Sequence, residues 1–424
     1  MNNINKTPKN RNHRDFLYLF FVILIITPTS IITQYISSIE NEYFELPNEL
    51  PELYIYCPYP INSKNYVASV IELNNLTIPS KIKYRGSLNC LLPKKGYRLE
   101  FINETSLLGM RMDDDWQLFA CWLDHTRMRT KLAFDLWRSL LPSNPTAILP
   151  ESTFVKLLIN NEFQGLYLLA EKQDRVLFGL DAAQNNLNSS LILQASEIYF
   201  HFKDKGHWEQ DYPNEEEGIY IGDQIIEVLT NFINNTNKME FFNYNTGIYS
   251  KFDKKNLIDF YLFNTFIYHR DFWNHNYYLV RNTMPNKFFL IPWDFDNSFG
   301  QLGWFKYDAN KIFNPYGRNL LFERLINNEE FMQEVNIRWA ELRTDIWTDQ
   351  FIFGLISEMY DQIQKVLEID LEIWTPITVD GYISPGFPDE YFYSNNEFDM
   401  NEAIQFLYNW MEERLKFCDL YFNL

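Results

Sequence analysis

The chain has 424 residues and a formal net charge of −19, and 46% of its residues are hydrophobic. With 36 Phe, 27 Tyr and 11 Trp it can bury a sizeable core, which excludes wholesale disorder. The acidic excess disfavours binding to nucleic acids, because contact with a phosphate backbone needs clustered Lys and Arg. It suits basic partners, or solubility alone.

The N-terminus has the composition of a targeting segment. Residues 1–14 form a basic tail, and residues 15–39 contain the apolar run FLYLFFVILII. This run is either an uncleaved signal anchor, which needs about 20 apolar residues, or a cleaved signal peptide, which needs about 7–15. Because basic flanks stay in the cytoplasm, both alternatives place the rest of the chain in an extracellular or lumenal space, membrane-anchored or secreted. Residues 40–50 are predicted to form an acidic stalk.

Strands are predicted at the start of the folded part. In KIKYRG (81–86), Lys83 and Arg85 share one face of a strand, and Ile82 lies on the other face. KKGYRLEF (94–101) alternates in the same way. These patterns predict a strand-rich beginning of the fold.

A helix and a hairpin follow. Asp124 is a candidate N-cap for the helix HTRMRTKLAFDLWRSLL, whose Leu residues recur at four-residue steps. FVKLLINNEFQGLYLLAEK (154–172) predicts a β-hairpin that turns around Asn160-Asn161 and Gly165. Residues 51–175 are therefore expected to form a strand-rich unit with one helix.

Residues 176–424 are predicted to be mostly helical. The polar segment 181–217 is interpreted as an insertion or exposed loop, and two strands are expected within 276–293. Amphipathic helices are predicted over 320–377 and 399–417, around a loop. A strand-rich first part and a helical second part indicate a two-lobed enzyme of the α+β class.

The four cysteines have no metal-type spacing. In an exported chain they could form one or two disulfides or remain buried thiols, and the sequence leaves both alternatives open. They are Cys57, Cys90, Cys121 and Cys418.

The stretch HRDFWNHN (269–276) places His-Arg-Asp four residues before an Asn. This spacing is typical of the catalytic loop of protein kinases, in which the Asp orients the attacking hydroxyl and the Asn holds Mg²⁺. Asp271 and Asn276 are the candidates for these roles. An isolated Asp of this kind is more often a helix cap, and the chain lacks a glycine-rich phosphate loop, so this stretch alone does not decide the function.

A second group of candidates follows an apolar strand. In FFLIPWDFDNSFG (288–300) the strand runs directly into Asp294 and Asp296. Two carboxylates just beyond a strand end form an oxygen-rich site of the kind that Mg²⁺ prefers, although Asp-x-Asp at such a position is commonly only a turn. Together with the stretch at 269–276, this segment favours phosphoryl transfer.

Residues 78–415 resemble the CotH kinase family. The motifs that carry the resemblance are KYRGSLN with PKKGYRLEF, the Asp-x-Thr-x-x-Arg helix from Asp124 to Arg129, the hairpin at 154–172, and DFWNHNYYLVRN followed by KFFLIPWDFDNSFG. The resemblance implies a fold similar to that of protein kinases but without the glycine-rich loop. Its N-lobe would be 51–175 and its C-lobe 176–424.

The resemblance also implies an activity, the phosphorylation of Ser or Thr in secreted, surface or spore-coat proteins with ATP and Mg²⁺ or Mn²⁺. By the matching motifs, Asp271 would orient the hydroxyl, and Asn276 and Asp294 would hold the metal ion. Asp296 would support this ligand set or hold a second ion. The family's signature does not depend on the His269-Arg270 pair, so we assign that pair no role.

The cation that holds the phosphates is expected on the first strands. Lys83 and Arg85 could point into a cleft, and Lys95 could act as the usual kinase lysine, with Glu171 as its partner or as an adenine-side residue. Arg129, one turn into its helix, could bridge the lobes. The alternative for each is an exposed, solvated charge.

Two other functions compete with a kinase. The first is a catalytically weak adhesion or coat-assembly protein that uses the same fold for binding. The second is a glycoside hydrolase with Asp294 and Asp296 as its acid pair, but such acids must face each other across about 5–9.5 Å. Two residues separated by one at a strand end are badly placed for that. The acid clusters at 215–217 and 389–399 predict a basic, Ser-rich protein substrate.

Overall fold

The computed structural model describes residues 50–86, 90, 92–195, 201–203, 208–214, 219–270, 272–375 and 397–424. The basic tail and the targeting segment, predicted at 1–39, lie outside these ranges, as do the acid cluster at 215–217 and most of the predicted loop before the last helix. Within these ranges, every helix is too short or too polar to span a bilayer.

Seven strands form a closed barrel in the order β1-β2-β3-β4-β5-β7-β6, with β6 parallel to β1. The apolar residues that alternate along these strands fill the barrel, for example Ile82, Leu99 and Leu118, none of which is exposed. Closure satisfies the hydrogen bonds of both edge strands. The strands are β1 Glu52–Tyr56, β2 Val67–Leu73, β3 Leu76–Tyr84, β4 Tyr97–Ser106, β5 Met112–Phe119, β6 Ser152–Ile159 and β7 Glu162–Glu171.

The predicted hairpin is confirmed as β6 and β7, which pair antiparallel around Asn160 and Asn161. Both Asn residues have positive φ, 51° and 65°, as a two-residue hairpin turn requires. Gly165 lies beyond the turn, at φ +108°, where an added Cβ would be 2.1 Å from Oδ1 of Asp370. Glycine is therefore needed there for its lack of a side chain as well as for its backbone conformation.

The helix predicted after Asp124 begins later than expected. Helix α1 spans Arg129–Arg138, and Arg127 has φ +59°, which a helix cannot include. Asp124 still contacts the helix start, because its Oδ2 accepts a hydrogen bond from the backbone N–H of Arg129 at 2.7 Å. The prediction of an N-cap at Asp124 itself is wrong, since the helix follows Met128.

A four-stranded sheet of order β11-β10-β8-β9 lies outside the barrel. The strands are β8 Leu191–Ala195, β9 Trp208–Tyr212, β10 Tyr277–Arg281 and β11 Phe289–Pro292. The two strands expected within 276–293 are thus confirmed. The interpretation of 181–217 as an insertion or exposed loop is wrong for β8 and β9, because β8 buries three successive apolar residues and pairs with β10.

The remaining elements are mostly helices, as predicted for the second part of the chain. They are α2 Gly222–Asn235, α3 Lys238–Phe241, α4 Ile248–Lys251, α5 Lys254–Phe266, β12 Gln301–Leu302, β13 Phe305–Lys306, α6 Leu320–Ile326, α7 Glu329–Glu341, α8 Asp349–Ile373 and α9 Met400–Tyr421. A mixed fold with strands first and helices later is therefore confirmed. All four cysteines are free thiols. The alternative of buried thiols holds for Cys57, Cys121 and Cys418, whereas Cys90 is half-buried.

A buried ionic cluster joins the barrel to α8. Asp370 accepts hydrogen bonds from Lys94 Nζ at 2.5 Å, from the backbone N–H of Leu166 at 2.8 Å and from Arg127 Nε at 2.9 Å. The side chains of Lys94 and Asp370 are fully buried, and that of Arg127 nearly so. This cluster fixes α8 against β7, near the start of α1.

Candidate active site

Asp294 and Asp296 follow β11 on a short 3₁₀ turn, Phe295–Asn297. Their apolar neighbours Trp293 and Phe295 are buried, while Asp294 is exposed and Asp296 is half-buried. The buried rings therefore anchor the turn and direct the carboxylates away from the core. Asp294 has φ 59° and ψ 77°, a left-handed conformation that the neighbouring structure must hold in place.

His269 holds the backbone of Asp294. Its Nε2 donates to the carbonyl oxygen of Asp294 at 2.8 Å, and its Nδ1 lies 3.1 Å from Oδ1 of Asn264 on α5. The imidazole is fully buried. The sequence analysis gave His269 no role, and the structure gives it a position that ties α5 to the acidic turn.

Two further backbone hydrogen bonds join the same segments. The N–H of Arg270 donates to the carbonyl of Asn297 at 3.2 Å, and the N–H of Phe299 donates to the carbonyl of Ile267 at 2.7 Å. Asp271 lies outside the described residues, but its neighbours in the chain, Arg270 and Phe272, are placed. The predicted catalytic stretch and the acidic segment are thus joined by backbone hydrogen bonds both before and after His269.

Asn276 lies beside the acidic turn. Its carbonyl accepts the backbone N–H of Trp293 at 2.9 Å, and Tyr277 and Pro292 pair across β10 and β11. Asn276 also has a positive φ, 63°. The structure therefore brings Asn276 and Asp294 to the same end of two paired strands.

Arg85 is the cation that faces the acidic pair. Arg85, Phe119, Cys121, Asp294 and Asp296 line one cavity between the barrel and α1. The guanidinium carbon of Arg85 lies 3.9 Å from the centre of the Phe119 ring, and its Nε is buried without a hydrogen-bond partner among the described residues. Burial lowers the pKa of Arg85 and neighbouring Arg98 lowers it further, whereas Asp294 and Asp296 oppose the shift.

Lys83 lies near the end of β3, two residues before Arg85, but is not among the residues that line this cavity. Its ammonium lies 4.3 Å from the centre of the Tyr66 ring, and it pairs across the strands with Arg98. Burial and the charge of Arg98 lower the pKa of Lys83. Arg98, which is exposed, was missed by the sequence analysis although it faces outward in an alternating strand.

The structure gives Lys95 and Glu171 other partners than those predicted. Lys95 Nζ donates to the carbonyl oxygens of Cys90, at 2.9 Å, and Leu92, so it closes its own turn. The Glu171 carboxylate accepts the backbone N–H groups of Arg111 and Glu151 at 3.0 and 2.8 Å. Neither side chain lines the cavity of Asp294. Of the two roles predicted for Glu171, that of partner to Lys95 is wrong, and that of an adenine-side residue stays a prediction.

Arg129 is buried beside its own loop. Its Nη1 donates to Asp124 Oδ1 at 2.5 Å and to Thr126 Oγ1 at 3.2 Å. This pairing organises the turn before α1, whose residue Thr130 lines the cavity of Asp294. Arg129 therefore supports the cavity wall and does not line the cavity itself.

Carboxylate and amide oxygens opposite a guanidinium suit a magnesium-bound polyphosphate, because Mg²⁺ is usually held by one or two carboxylates together with substrate phosphates. Among the described residues, no group of three or more His, Cys, Asp or Glu side chains could hold a metal ion. Asp294, Asp296 and Asn276 would be the residues to hold a nucleotide-bound ion, which takes few protein oxygens. The residue types fit such an ion.

Comparison with known proteins agrees with these motifs. The sequence profile described as CotH kinase protein matches residues 82–418. The chain is 25% identical over 313 residues to inner spore coat protein H of Bacillus subtilis (strain 168), which covers 72% of this chain and 82% of that protein.

Among solved structures, the chain is similar to the proinflammatory kinase CtkA of Helicobacter pylori, at 10% identity over 85% of this chain and 92% of that one. The TM-score of this match is 0.24. The family profile, in contrast, covers well over half of the sequence, including the barrel strands from β4 onward and both segments of the candidate site. The chain therefore belongs to the CotH kinase protein family.

Proposed function

We propose that this protein is an ATP-dependent protein kinase that phosphorylates Ser or Thr in exported or surface proteins. The observation that carries the proposal is the shared end of β10 and β11, where Asn276 and Asp294 are adjacent and Asp294 and Asp296 face Arg85. Phosphoryl transfer depends mainly on positioning and charge stabilisation, and this arrangement offers both. Membership of a kinase family supports the same reaction class.

Each residue would have one task. Asp271 orients the substrate hydroxyl and accepts its proton as the oxygen bonds to the γ-phosphorus and the bond to the ADP oxygen breaks. Asn276 and Asp294 would hold Mg²⁺ or Mn²⁺, with Asp296 in support. When bound with ATP, the ion neutralises charge on the phosphates. Arg85 would neutralise the phosphates from the barrel side, in place of a glycine-rich loop.

The arrangement of strands and helices supports a two-lobed, kinase-like architecture. The barrel of β1–β7 would be the N-lobe, and the sheet β8–β11 with the later helices would be the C-lobe. The cavity that holds Arg85 and Asp294 has walls from both parts. A nucleotide between them would contact the barrel on one side and the acidic turn on the other.

The proposed location and substrate follow from the relative's name and from the charge of the chain. The likeness to an inner spore coat protein supports an extracellular or coat location, and residues 15–39 would direct export or membrane anchoring. The net charge of −19 supports a basic, Ser-rich substrate. Equal phosphorylation of matched basic and acidic Ser peptides would contradict this preference.

The direct test is incubation of the full chain with γ-labelled ATP and Mg²⁺ or Mn²⁺. We expect label transfer to protein or peptide, and a loss of at least about 100-fold in Asp271→Ala and Asp294→Ala. Asp361→Ala, an exposed change on α8, is the matched control and should keep full activity. Label transfer that survives in both site variants would overturn the assignment.

The name of the Bacillus relative also favours a second candidate, a coat-assembly protein that uses the fold for binding. The two candidates differ in what Asp271→Ala does. A binding protein would keep its assembly function in this variant. A kinase would lose phosphorylation and, with it, the assembly function.

A further inference from the structure

Buried side chains hold the backbone of segment 307–313, which follows the acidic turn and β13. The donors are Trp410 and Arg414, one turn apart on α9, and Trp273 of the predicted catalytic stretch, and all three are buried. The bonds to carbonyl oxygens run from Trp410 Nε1 to Tyr307 at 3.0 Å, from Arg414 Nη1 to Ala309 and Lys311, both at 2.6 Å, and from Trp273 Nε1 to Phe313 at 2.7 Å. Every second residue of this segment is therefore fixed through its backbone.

Arg414 also joins the segment to the end of α5. Its Nε donates to the carbonyl of Phe266 at 3.0 Å, and its Nη2 donates to that of Thr265. Burying a guanidinium is costly unless its donors are used, and here they hold four backbone carbonyls at once. Because α5 ends three residues before His269, one side chain fixes the segment relative to the residue that holds Asp294.

The segment packs against the predicted catalytic stretch. The guanidinium carbons of Arg270 and Arg318 lie 5.6 and 4.4 Å from the centre of the Phe313 ring. Arg318 also donates from Nη1 to Oδ1 of Asn274 at 3.0 Å. Arg270 and Asn274 flank Asp271 in the sequence. A peptide that presents its hydroxyl to Asp271 would therefore run across this segment.

The same part of the chain offers no site for Ser or Thr phosphorylation. No Ser or Thr occurs from Phe299 to Asn319. Of the two tyrosines there, Tyr307 is buried, and Tyr316 lies beyond the four bound carbonyls. In many protein kinases, the loop after the metal-binding Asp is ordered only when a phosphate on it pairs with Arg. Here buried hydrogen bonds from α9 and from the catalytic stretch supply that order.

We propose that segment 307–313 is a preformed platform for the substrate peptide, held by Arg414 as a positioning residue, so that the enzyme is active without being phosphorylated itself. The inference rests on the proposed kinase function and adds how the substrate side of the site is regulated. Arg414 is not among the residues that line the cavity of Asp294. Its loss should therefore affect the use of the peptide and not the binding of ATP.

The first test combines steady-state kinetics of the full chain on a basic Ser peptide with equilibrium binding of ATP and Mg²⁺. Arg414→Met should raise KM for the peptide about 10–100-fold, because the platform loses its position, and should leave ATP affinity unchanged. Trp410→Phe removes one bond and should raise KM less, and it provides the same comparison if Arg414→Met does not fold. Lys416→Met, exposed on α9, is the matched control and should behave like the wild type. Phosphatase-treated wild-type protein should keep its full rate.

Trypsin provides a measurement that does not depend on activity. Cleavage after Lys311 breaks the peptide bond whose carbonyl Arg414 holds, so folded Arg414→Met should be cut there and the wild type should not. An unchanged peptide KM in the folded variants, equal cleavage of wild type and variant, or a loss of rate after phosphatase treatment would each overturn this inference alone. Absence of phosphoryl transfer from the wild type to any peptide would overturn the proposed function and this inference with it.

Discussion

His269 donates a hydrogen bond from Nε2 to the carbonyl oxygen of Asp294 at 2.8 Å, and thereby fixes a carboxylate-bearing residue in a left-handed conformation. The contact joins the end of α5 to the turn that follows β11. Without this hydrogen bond, the backbone of Asp294 would lose a restraint that its neighbours in the sequence do not replace. His269 is therefore a positioning residue in the proposed active site.

We expect His269→Ala to lower the phosphoryl-transfer rate by roughly 10–100-fold, because a carboxylate displaced by about 1 Å loses much of its effect. The fall should appear mainly in kcat, with a smaller change in KM for ATP, since Arg85 is untouched. Steady-state kinetics would measure both. Asn264→Ala is the control, because it removes the side chain that lies 3.1 Å from Nδ1 and leaves the bond to Asp294. If both variants lose activity equally, the contact with Asp294 is not the cause.

The sequence could predict local features of this fold. The alternation in β3 and β4 and the Asn160-Asn161 turn depend on neighbouring residues only, and all three were correct. The start of α1 was wrong because Arg127 adopts φ +59° while it bonds Asp370, 243 residues away. No local pattern contains that contact.

The sequence motifs named the candidates for the site, and the structure shows which of them lie together. Asn276, Asp294 and Asp296 were proposed from motif spacing, and they lie at one end of β10 and β11; their roles stay predictions. Lys95 was named as a candidate cation and its neighbour Lys94 was not considered, yet Lys94 forms the buried bond to Asp370 across 276 residues. Which of these two neighbouring lysines faces the core depends on the direction of each side chain, and that direction is set by tertiary packing.

Asp370→Ala should destabilise the protein strongly. It would leave Lys94 and Arg127 buried without their carboxylate partner, and loss of one member of a buried ionic cluster costs about 3–5 kcal/mol. Urea unfolding followed by tryptophan fluorescence would measure the change. Asp361→Ala, exposed on the same helix, should unfold like the wild type. Equal midpoints for the two variants would contradict the structural role of Asp370.

His125 should make stability depend on pH in the acidic range. It is buried, and burial, reinforced by Arg127 and Arg129, lowers its pKa to about 3. Gln301 Nε2 lies 3.0 Å from its Nδ1 and also donates to the Gly303 carbonyl, so Nδ1 acts as the acceptor of a neutral ring. The unfolded chain therefore binds a proton below pH 6.5 that the folded chain does not bind.

Because the unfolded state gains this proton, the free energy of unfolding should fall as the pH drops from 6.5 toward 3. At pH 5 the titration of His125 should make the free energy of unfolding about 2 kcal/mol lower than at pH 7. His125→Gln keeps an acceptor for Gln301 but does not titrate, so its unfolding free energy should fall less over this range. Urea titrations at several pH values would show the difference, and parallel curves for both proteins would contradict it.

Arg85→Met should weaken ATP binding about tenfold or more. The guanidinium is the cation that faces Asp294 and Asp296 across the cavity, and methionine keeps its contact with Phe119 while removing the charge. Equilibrium binding of ATP in the presence of Mg²⁺ measures the effect. Lys81→Met removes an exposed charge from β3, four residues before Arg85, and should leave the affinity unchanged. If Arg85→Met binds ATP like the wild type, another residue holds the phosphates, and exposed Arg98 on the same barrel face would be the next cation to replace.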